Sequence, residues 1–182
     1  MTTYCQYVAS HPEDLFNKPY HDAQYGFPIS DDNLLFERLV LEINQAGLSW
    51  ITILKKADNF RRAYDQFDLA RVAAYDEADR ARLLSDAGII RNRLKVNAAI
   101  VNAQRILGLQ TEFGSFKNWL DAHHPRTKDE WVKLFKQTFI FTGGEIVNEF
   151  LMSTGYLKGA HEETCPIYKL VKKQNPPWAI IK

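Results

Sequence analysis

The sequence predicts an all-α protein. Apolar residues recur with the spacing of amphipathic helices, and Ser, Asp and Gly residues mark frequent helix starts and ends. No alternation of apolar and polar residues is long enough to predict a strand. We therefore expect about eight to ten short helices. The 182 residues, 46% hydrophobic and 13% aromatic, suffice for one domain with a substantial core.

Bulk properties exclude little. The net charge of +1 does not indicate a polyanion-binding protein, but a basic face balanced by an acidic one remains compatible with it. The start of the chain has no basic segment followed by an apolar one, and no apolar run reaches 18 residues. We therefore expect a cytoplasmic protein that does not engage a membrane, with reduced thiols at Cys5 and Cys165.

The first 30 residues are expected to be an irregular, aromatic-rich arm over a helical body. The body begins with a helix over 33–46, which Gly47 ends as a natural C′ residue. Its apolar arc is wide, so the helix should be mostly buried, with Glu42 at the boundary between the polar and apolar faces.

Shorter helices follow, each preceded by a Ser or Asp cap. We expect them over 50–56, 59–67, 69–74 and 77–85, the first of them capped by Ser49 and the second by Asp58. A helix after Gly88 should end at Gly108, with Leu94 on its apolar side. Further helices are expected over 116–122, 128–138 and 145–154, before a basic tail.

Two cysteines and two histidines form a possible metal site. His161 and Cys165 are separated by three residues and can bind one ion, and Cys5 and His21 lie near the start of the chain. Such a Cys2His2 set would be a closed structural zinc site that ties the two chain ends together. The spacing is not that of a zinc finger, so on spacing alone unrelated buried thiols and surface histidines are the favoured explanation.

The junction at Gly88 is a second candidate site. A short Gly-containing turn between two helices can bind a phosphate through its backbone N–H groups and the following helix N-terminus. Arg91, Arg93 and Lys95 follow at once. An ordinary helix–helix corner with a solvated basic rim explains the same residues.

The third candidate combines aromatic side chains and a carboxylate. Aromatic faces stack on a flat base, and more strongly on a cationic one, while a carboxylate accepts hydrogen bonds from an exocyclic amine. The residues are Tyr7, Tyr20, Tyr25, Glu42 and Trp50. The alternative is a core with aromatic packing and an Arg38–Glu42 ion pair, which would require Glu42 to be solvated.

Several segments, in order and spacing, resemble the 3-methyladenine DNA glycosylase I family. The resemblance covers roughly residues 4 to 165 and includes Cys5-Gln6-Tyr7, Tyr20-His21-Asp22, the stretch from Glu42 to Trp50, the segment 86–91, and His161 with Cys165. The segment Gln45-Ala46-Gly47-Leu48-Ser49-Trp50 is its most specific part. The tail after Cys165 is not covered.

The resemblance implies a helix–hairpin–helix glycosylase fold with a structural zinc at Cys5, His21, His161 and Cys165. It implies one unit over 1–182, with a helical body at about 31–155 and with segments 1–30 and 156–182 joined through zinc. The activity implied is removal of N3-methyladenine from double-stranded DNA by a monofunctional hydrolase, acting as a monomer and leaving an abasic site. A non-catalytic zinc-containing binder of damaged DNA is the alternative.

The resemblance also implies residue roles. Glu42 matches the family's base-recognising carboxylate, Tyr20 its pocket tyrosine and Trp50 its stacking tryptophan, and these three are the expected catalytic residues. Tyr7 and Tyr25 complete the base-binding set, although the family has Trp at both positions. Leu48 should probe the gap in the duplex. Phosphate contacts are expected from Gly88, Ile90, Arg91 and Arg93. A second carboxylate in the pocket is not expected.

Overall fold

A computed structural model describes residues 2–180 of the chain and consists of helices joined by short connections, with no strand in that range. Eleven α-helices are present in this range. They are α1 (Tyr4–Ser10), α2 (Asn17–Ala23), α3 (Asp32–Gln45), α4 (Trp50–Ala63), α5 (Leu69–Ala73), α6 (Glu77–Ser85), α7 (Arg93–Phe113), α8 (Phe116–His123), α9 (Lys128–Thr138), α10 (Gly144–Ser153) and α11 (Pro166–Lys173). Two 3-10 turns lie at Asp65–Phe67 and Pro177–Ala179.

Helix α3 lies at the centre of the fold. It packs against α4, α7, α8 and α10, and ten of its fourteen residues are buried. Its apolar side chains therefore join the core on nearly every face, as the wide apolar arc predicted. Asp31 caps its start by accepting a hydrogen bond from the N–H of Leu34. Gly47 follows its end with a φ of 80°, a conformation in which glycine avoids the steric cost of a Cβ.

The N-terminal arm is not irregular as expected. Thr3 and Gln6 form a capping box that starts α1, and Asp14 accepts hydrogen bonds from the N–H groups of Phe16 and Asn17 before α2. Proline residues suggested loops here, but local side-chain caps stabilise two helices of seven residues each.

Two expected helix boundaries are also wrong. Asp58 does not start a new helix, because α4 continues to Ala63 and Asp58 pairs with Arg61 one turn further along. Gly108 does not end α7, which continues to Phe113 and ends at Gly114 with a φ of 84°. Burial of the apolar face of α7 overrides the cost of an interior glycine, about 1 kcal/mol.

The C-terminal segment folds back onto the body. Cys165 precedes α11, and the N–H of Trp178 donates to the carbonyl oxygen of Gly155 at 3.1 Å. The rings of Tyr168 and Trp178 stack with centroids 5.8 Å apart. Within residues 2–180, no helix has the length and apolar character needed to cross a membrane.

Candidate active site and metal centre

A cavity of about 230 Å³ lies where α1, α2, α3, α4 and α10 meet. Its walls consist of aromatic rings, two carboxyl groups and one amide. The lining residues are Tyr4, Tyr20, Tyr25, Glu42, Gln45, Trp50 and Glu149. Four of the five predicted base-binding residues therefore come together, and they do so around a space large enough for one flat ring system.

Glu42 is the most deeply buried polar group of this cavity, with 3% of its surface exposed. Burial raises its pKa to about 8, with Glu149 adding to the rise and Arg38 opposing it. Arg38 donates through Nη1 to the Tyr20 hydroxyl at 3.2 Å and to the Ser153 carbonyl at 3.3 Å. Among the described residues Arg38 forms no ion pair with Glu42. The solvated ion pair, the alternative explanation of Glu42, is therefore wrong.

The aromatic rings are in contact with one another. Tyr20 lies 5.0 Å from Trp50 and 5.6 Å from Tyr25, measured between ring centroids, and the guanidinium of Arg38 lies 5.0 Å from the centroid of Tyr20. Tyr25 donates its hydroxyl hydrogen to Glu149 at 3.1 Å. The indole N–H of Trp50 is buried and has no hydrogen-bond partner in the range 2–180. The cavity thus has packed aromatic walls and one buried donor, the indole N–H of Trp50, that is available to a ligand.

Tyr7 does not line this cavity, in contrast to the sequence-based prediction. Its ring stacks on His11 with centroids 4.3 Å apart, and its hydroxyl donates to Asp14 at 3.1 Å. Tyr4, one helical turn earlier on α1, occupies the wall instead, with its ring 5.6 Å from that of Tyr25. The α1 helix explains the difference, because an irregular arm gave no reason to choose between the two tyrosines.

Glu149 was also missed, and the expectation that the pocket has no second carboxylate is wrong. It comes from α10, more than one hundred residues after Glu42, and burial is the main cause that raises its pKa. One signal was available in the sequence. Glu149 lies between the apolar residues Val147 and Phe150, both of which are buried.

The four predicted metal ligands form one buried cluster. Their ligand atoms all lie within 4.8 Å of one another. The Sγ of Cys5 is 3.4 Å from Nε2 of His21 and 3.7 Å from Nδ1 of His161, and Cys165 Sγ is 3.8 Å and 3.9 Å from the same two nitrogens. Tetrahedral bonds of about 2.0–2.3 Å give sulfur–nitrogen edges of roughly 3.5 Å. This set can therefore hold a metal ion.

The other nitrogen of each histidine is also engaged. Nδ1 of His21 lies 2.8 Å from the Asp22 carboxylate, and Nε2 of His161 lies 2.7 Å from the backbone carbonyl oxygen of Tyr25. Such outer contacts fix which nitrogen faces a metal. Gly26 makes the second contact possible, since a Cβ there would meet Ala160 at 2.8 Å.

The cluster and the cavity share their framework. Tyr4 precedes Cys5, Tyr20 precedes His21, and the carbonyl of Tyr25 accepts the hydrogen bond from His161. Each tyrosine of the cavity wall is thus one covalent link or one hydrogen bond from a cluster residue. Residues that hold the cluster in place therefore also fix the positions of the tyrosines in the aromatic wall.

At the junction between α6 and α7, some backbone N–H groups already donate to a partner within the protein and others do not. The N–H of Gly88 donates to Asp86 at 2.7 Å and is already used. In the described chain the N–H groups of Ile90 and Arg91 have no partner, and Arg93 and Leu94 form the first turn of α7, where N–H groups lack helical partners. The donors that remain open therefore follow Gly88.

Gly88 has a steric role in this junction. A Cβ at Gly88 would meet Asp86 at 2.9 Å and Asn59 at 3.2 Å. The carbonyl of Gly88 accepts hydrogen bonds from Lys56 and Asn59 of α4. Glycine allows the turn to pack directly on the helix that starts at Trp50.

Four predicted interface residues are accessible or partly so. Arg91 and Arg93 are exposed, Ile90 is half-buried, and Leu48 is an exposed leucine, 39% accessible, in the connection between α3 and α4. Leu94 is 67% exposed, which is opposite to the apolar packing predicted for it. The next two residues, Lys95 and Val96, are buried instead.

A family model described as methyladenine glycosylase matches residues 10–133 of the chain. The chain belongs to this family. The resemblance seen in the sequence is therefore confirmed, and the match includes the whole corner from Glu42 to Trp50 and the Gly88 junction.

Full-length relatives are similar in sequence. The DNA-3-methyladenine glycosylase of Haemophilus influenzae is 34% identical, with 91% of this chain and 98% of that protein covered. DNA-3-methyladenine glycosylase 1 of Escherichia coli is 37% identical, with 90% and 96% covered.

Solved structures of the family share the fold. The 3-methyladenine DNA glycosylase I of Staphylococcus aureus superimposes with a TM-score of 0.80 at 30% identity, covering 91% of this chain and 97% of that one. A Tyr-to-Phe variant of a 3-methyladenine DNA glycosylase I, solved with 3-methyladenine bound, gives 0.78 at 32% identity, covering 85% and 93%. The predicted all-α glycosylase fold is thus confirmed.

Proposed function

We propose that this protein is a DNA glycosylase that hydrolyses the N-glycosidic bond of N3-methyladenine in alkylated double-stranded DNA and leaves an abasic site. One observation carries the proposal: the buried carboxyl group of Glu42 lies in a cavity walled by Tyr20, Tyr25 and Trp50. Relatives named for this activity, one of them solved with 3-methyladenine bound, support it.

The chemistry requires little from the protein at the breaking bond. Methylation at N3 makes the base cationic, so it leaves as a neutral molecule when the C1′–N9 bond breaks and the bonding electrons return to the base. A water molecule then adds to C1′ and loses a proton. Selection and extrusion of the base are the harder tasks, and extrusion costs a few kcal/mol of unstacking.

Glu42 supports selection by its charge. Its pKa of about 8 keeps much of the carboxyl neutral in the empty cavity at neutral pH. A cationic base favours the ionised form, whereas undamaged adenine does not. Glu42 then accepts a hydrogen bond from the exocyclic amine, while Tyr20 and Trp50 stack on the ring. The discrimination is therefore electrostatic as well as geometric.

DNA is gripped beside the cavity in this proposal. The open N–H groups of Ile90 and Arg91 and the N-terminus of α7 bind a backbone phosphate, as in a helix–hairpin–helix motif, with Arg91 and Arg93 adding positive charge. Gly88 shapes the turn rather than donating its own N–H. Leu48 enters the space left by the extruded base.

A structural zinc ion fits the cluster of Cys5, His21, His161 and Cys165. Two thiolates and two imidazoles are a closed zinc set with no position for water, so the ion contributes folding energy rather than chemistry. It would hold the chain ends together and make one folding unit of residues 1–182. Metal analysis should find one zinc ion per chain, and the protein should be a monomer.

The decisive experiment is release of free 3-methyladenine from methylated duplex DNA. The wild type should release it, and Glu42→Gln and Trp50→Ala should release it at least tenfold more slowly, because each loses a contact made to the extruded base. Glu112→Gln, on the exposed end of α7, is the matched control. Equal release by wild type and Glu42→Gln would contradict the assignment of the cavity. DNA binding without any release would favour the non-catalytic binder.

A further inference from the structure

Two carboxyl groups share one small aromatic cavity, and the chemistry described above uses only one of them. Glu149 reaches the cavity from α10 and accepts a hydrogen bond from Tyr25, whose side chain is 8% exposed. An acidic side chain half-buried among aromatic rings is costly unless it has a partner. The hydroxyl of Tyr25 binds one of its two oxygens, and the adjacent side chain of Asn148 also favours the ionised carboxyl.

We propose that Glu149 is a specificity-determining residue that, together with Glu42, makes the cavity prefer a positively charged purine over a neutral one of the same shape. This inference rests on the proposed glycosylase function. It assigns to Glu149 a recognition role beyond the contact with Tyr25, and it names the ligand class as a cationic, N-alkylated purine.

The charges around the two carboxyls support this role. Glu149 disfavours ionisation of Glu42, and the cation that opposes this effect, Arg38, donates hydrogen bonds to Tyr20 and Ser153. The titratable or charged groups facing the pair come from five elements and are Tyr4 on α1, Tyr20 and Tyr25 on and after α2, Arg38 on α3, Glu145 on α10, and Lys128 on α9. Lys128 is bound to Glu145 at 3.0 Å and is exposed to solvent at 44%.

A cationic purine changes this balance. It attracts both carboxylates, and this attraction offsets their mutual repulsion, so both groups can be ionised at the same time. A neutral purine leaves the repulsion in place and obtains only stacking and hydrogen bonds. The second carboxyl therefore increases the affinity for the cationic purine and leaves the affinity for the neutral purine nearly unchanged. The difference between the two affinities grows as a result.

The test uses two probes of equal shape. The fixed cation is 3,9-dimethyladeninium, and the neutral analogue is 3,9-dimethyl-3-deazaadenine, in which a carbon atom replaces N3. Their dissociation constants are measured by quenching of tryptophan fluorescence at pH 7.5. Glu149→Gln keeps an oxygen that can accept from Tyr25 but removes the charge. We expect it to weaken binding of the cation about tenfold and to leave binding of the neutral analogue within twofold of wild type.

Three further measurements separate recognition from structure. Tyr25→Phe keeps the Glu149 charge and should retain the cation preference. Glu112→Gln makes the same charge change at an exposed position on α7 and should change neither constant more than twofold. In wild type, affinity for the cation should rise with pH as Glu42 loses its proton, and in Glu149→Gln this rise should occur at lower pH.

The outcomes are distinct. An unchanged cation-to-neutral ratio in Glu149→Gln, or loss of the ratio in Tyr25→Phe to the same extent, overturns the inference. If that happens while wild type still releases 3-methyladenine from DNA, the proposed function stands. A wild type that neither prefers the cation nor releases the base overturns both.

Discussion

The ammonium group of Lys95 lies 2.7 Å from the carbonyl oxygen of Ala46, and its second acceptor is the carbonyl of Asn44 at 2.8 Å. These carbonyls end α3, where helical partners are lacking and a cation is favourable. Lys95 is 6% exposed and belongs to the first turn of α7. It therefore joins the junction between α6 and α7 to the helix that carries Glu42, and its ammonium group is already used by these two carbonyls.

Replacing Lys95 by Met should destabilise the protein by about 2 kcal/mol, because two buried carbonyl groups lose a charged donor. Base release should fall more than DNA affinity, since the junction and the cavity lose their common support. Urea unfolding and single-turnover release measure the two effects. Lys133→Met, an exposed lysine on α9, is the control. A smaller loss than that of the control would show that the contact is dispensable.

The pH dependence of stability should report the burial of Glu42. The folded pKa of about 8 lies above the ordinary value of the carboxyl, so folding is favoured while the group is protonated and this contribution is lost as pH rises towards 8. Glu42→Gln should gain stability relative to wild type by roughly 2–4 kcal/mol between pH 5 and pH 8.5. Unfolding in urea at both values measures this, and Glu112→Gln should show no such trend.

Leu48→Ala should affect only steps that involve the duplex. Its side chain is exposed at the corner between α3 and α4 and does not line the cavity. Release of 3-methyladenine from duplex DNA should fall about tenfold, while affinity for the free base stays within twofold. Leu170→Ala, another exposed leucine, is the matched control. An equal loss on single-stranded DNA would argue against a role in filling the gap.

Arg91→Ala should weaken binding to undamaged duplex DNA about equally for all sequences. One fewer phosphate contact should lower the slope of log affinity against log salt by about 1. Fluorescence anisotropy between 50 and 200 mM salt, roughly the range over which counterion release is evident, gives the slope. Lys136→Ala, on α9, removes an equal charge elsewhere on the surface and should leave the slope unchanged.

Removal of metal should loosen the aromatic wall before it affects the core. A chelator is expected to lower the melting temperature by roughly 10 °C and to reduce affinity for free 3-methyladenine, because Tyr4, Tyr20 and Tyr25 lose their support. Cys165→Ser should reproduce both effects, and His11→Ala, a histidine outside the cluster, should reproduce neither. Unchanged affinity for 3-methyladenine in the metal-free protein would show that the cluster does not support the cavity.

The sequence predicted the central corner well because its signals are local. Glu42, Gly47, Ser49 and Trp50 lie within nine residues, and a wide apolar arc with a glycine at C′ has one simple structural interpretation. The hydroxyl of Ser49 was the exception, since it contacts the Thr52 hydroxyl at 2.8 Å instead of capping a backbone N–H.

The rest of the cavity depends on distant packing. Glu149 approaches Tyr25 across 124 positions of sequence, and no local periodicity could pair them. Tyr4 and Tyr7 exchanged roles because the choice between them depends on the rotation of α1, which the caps of Thr3 and Gln6 determine. The candidate metal ligands followed from residue type together with the family resemblance, since their spacing alone left two explanations.

The hydrogen bond between His161 and the carbonyl of Tyr25 spans 136 positions of sequence. The cavity wall is therefore completed late, after most of the chain has been synthesised. During synthesis Glu42 and Trp50 emerge early and can form their corner while the C-terminal segment is still missing. The aromatic wall can become fixed only after residue 161 has left the ribosome. A growing or truncated chain therefore carries Glu42 without a closed aromatic wall around it, and we expect base removal to require the chain at least as far as His161.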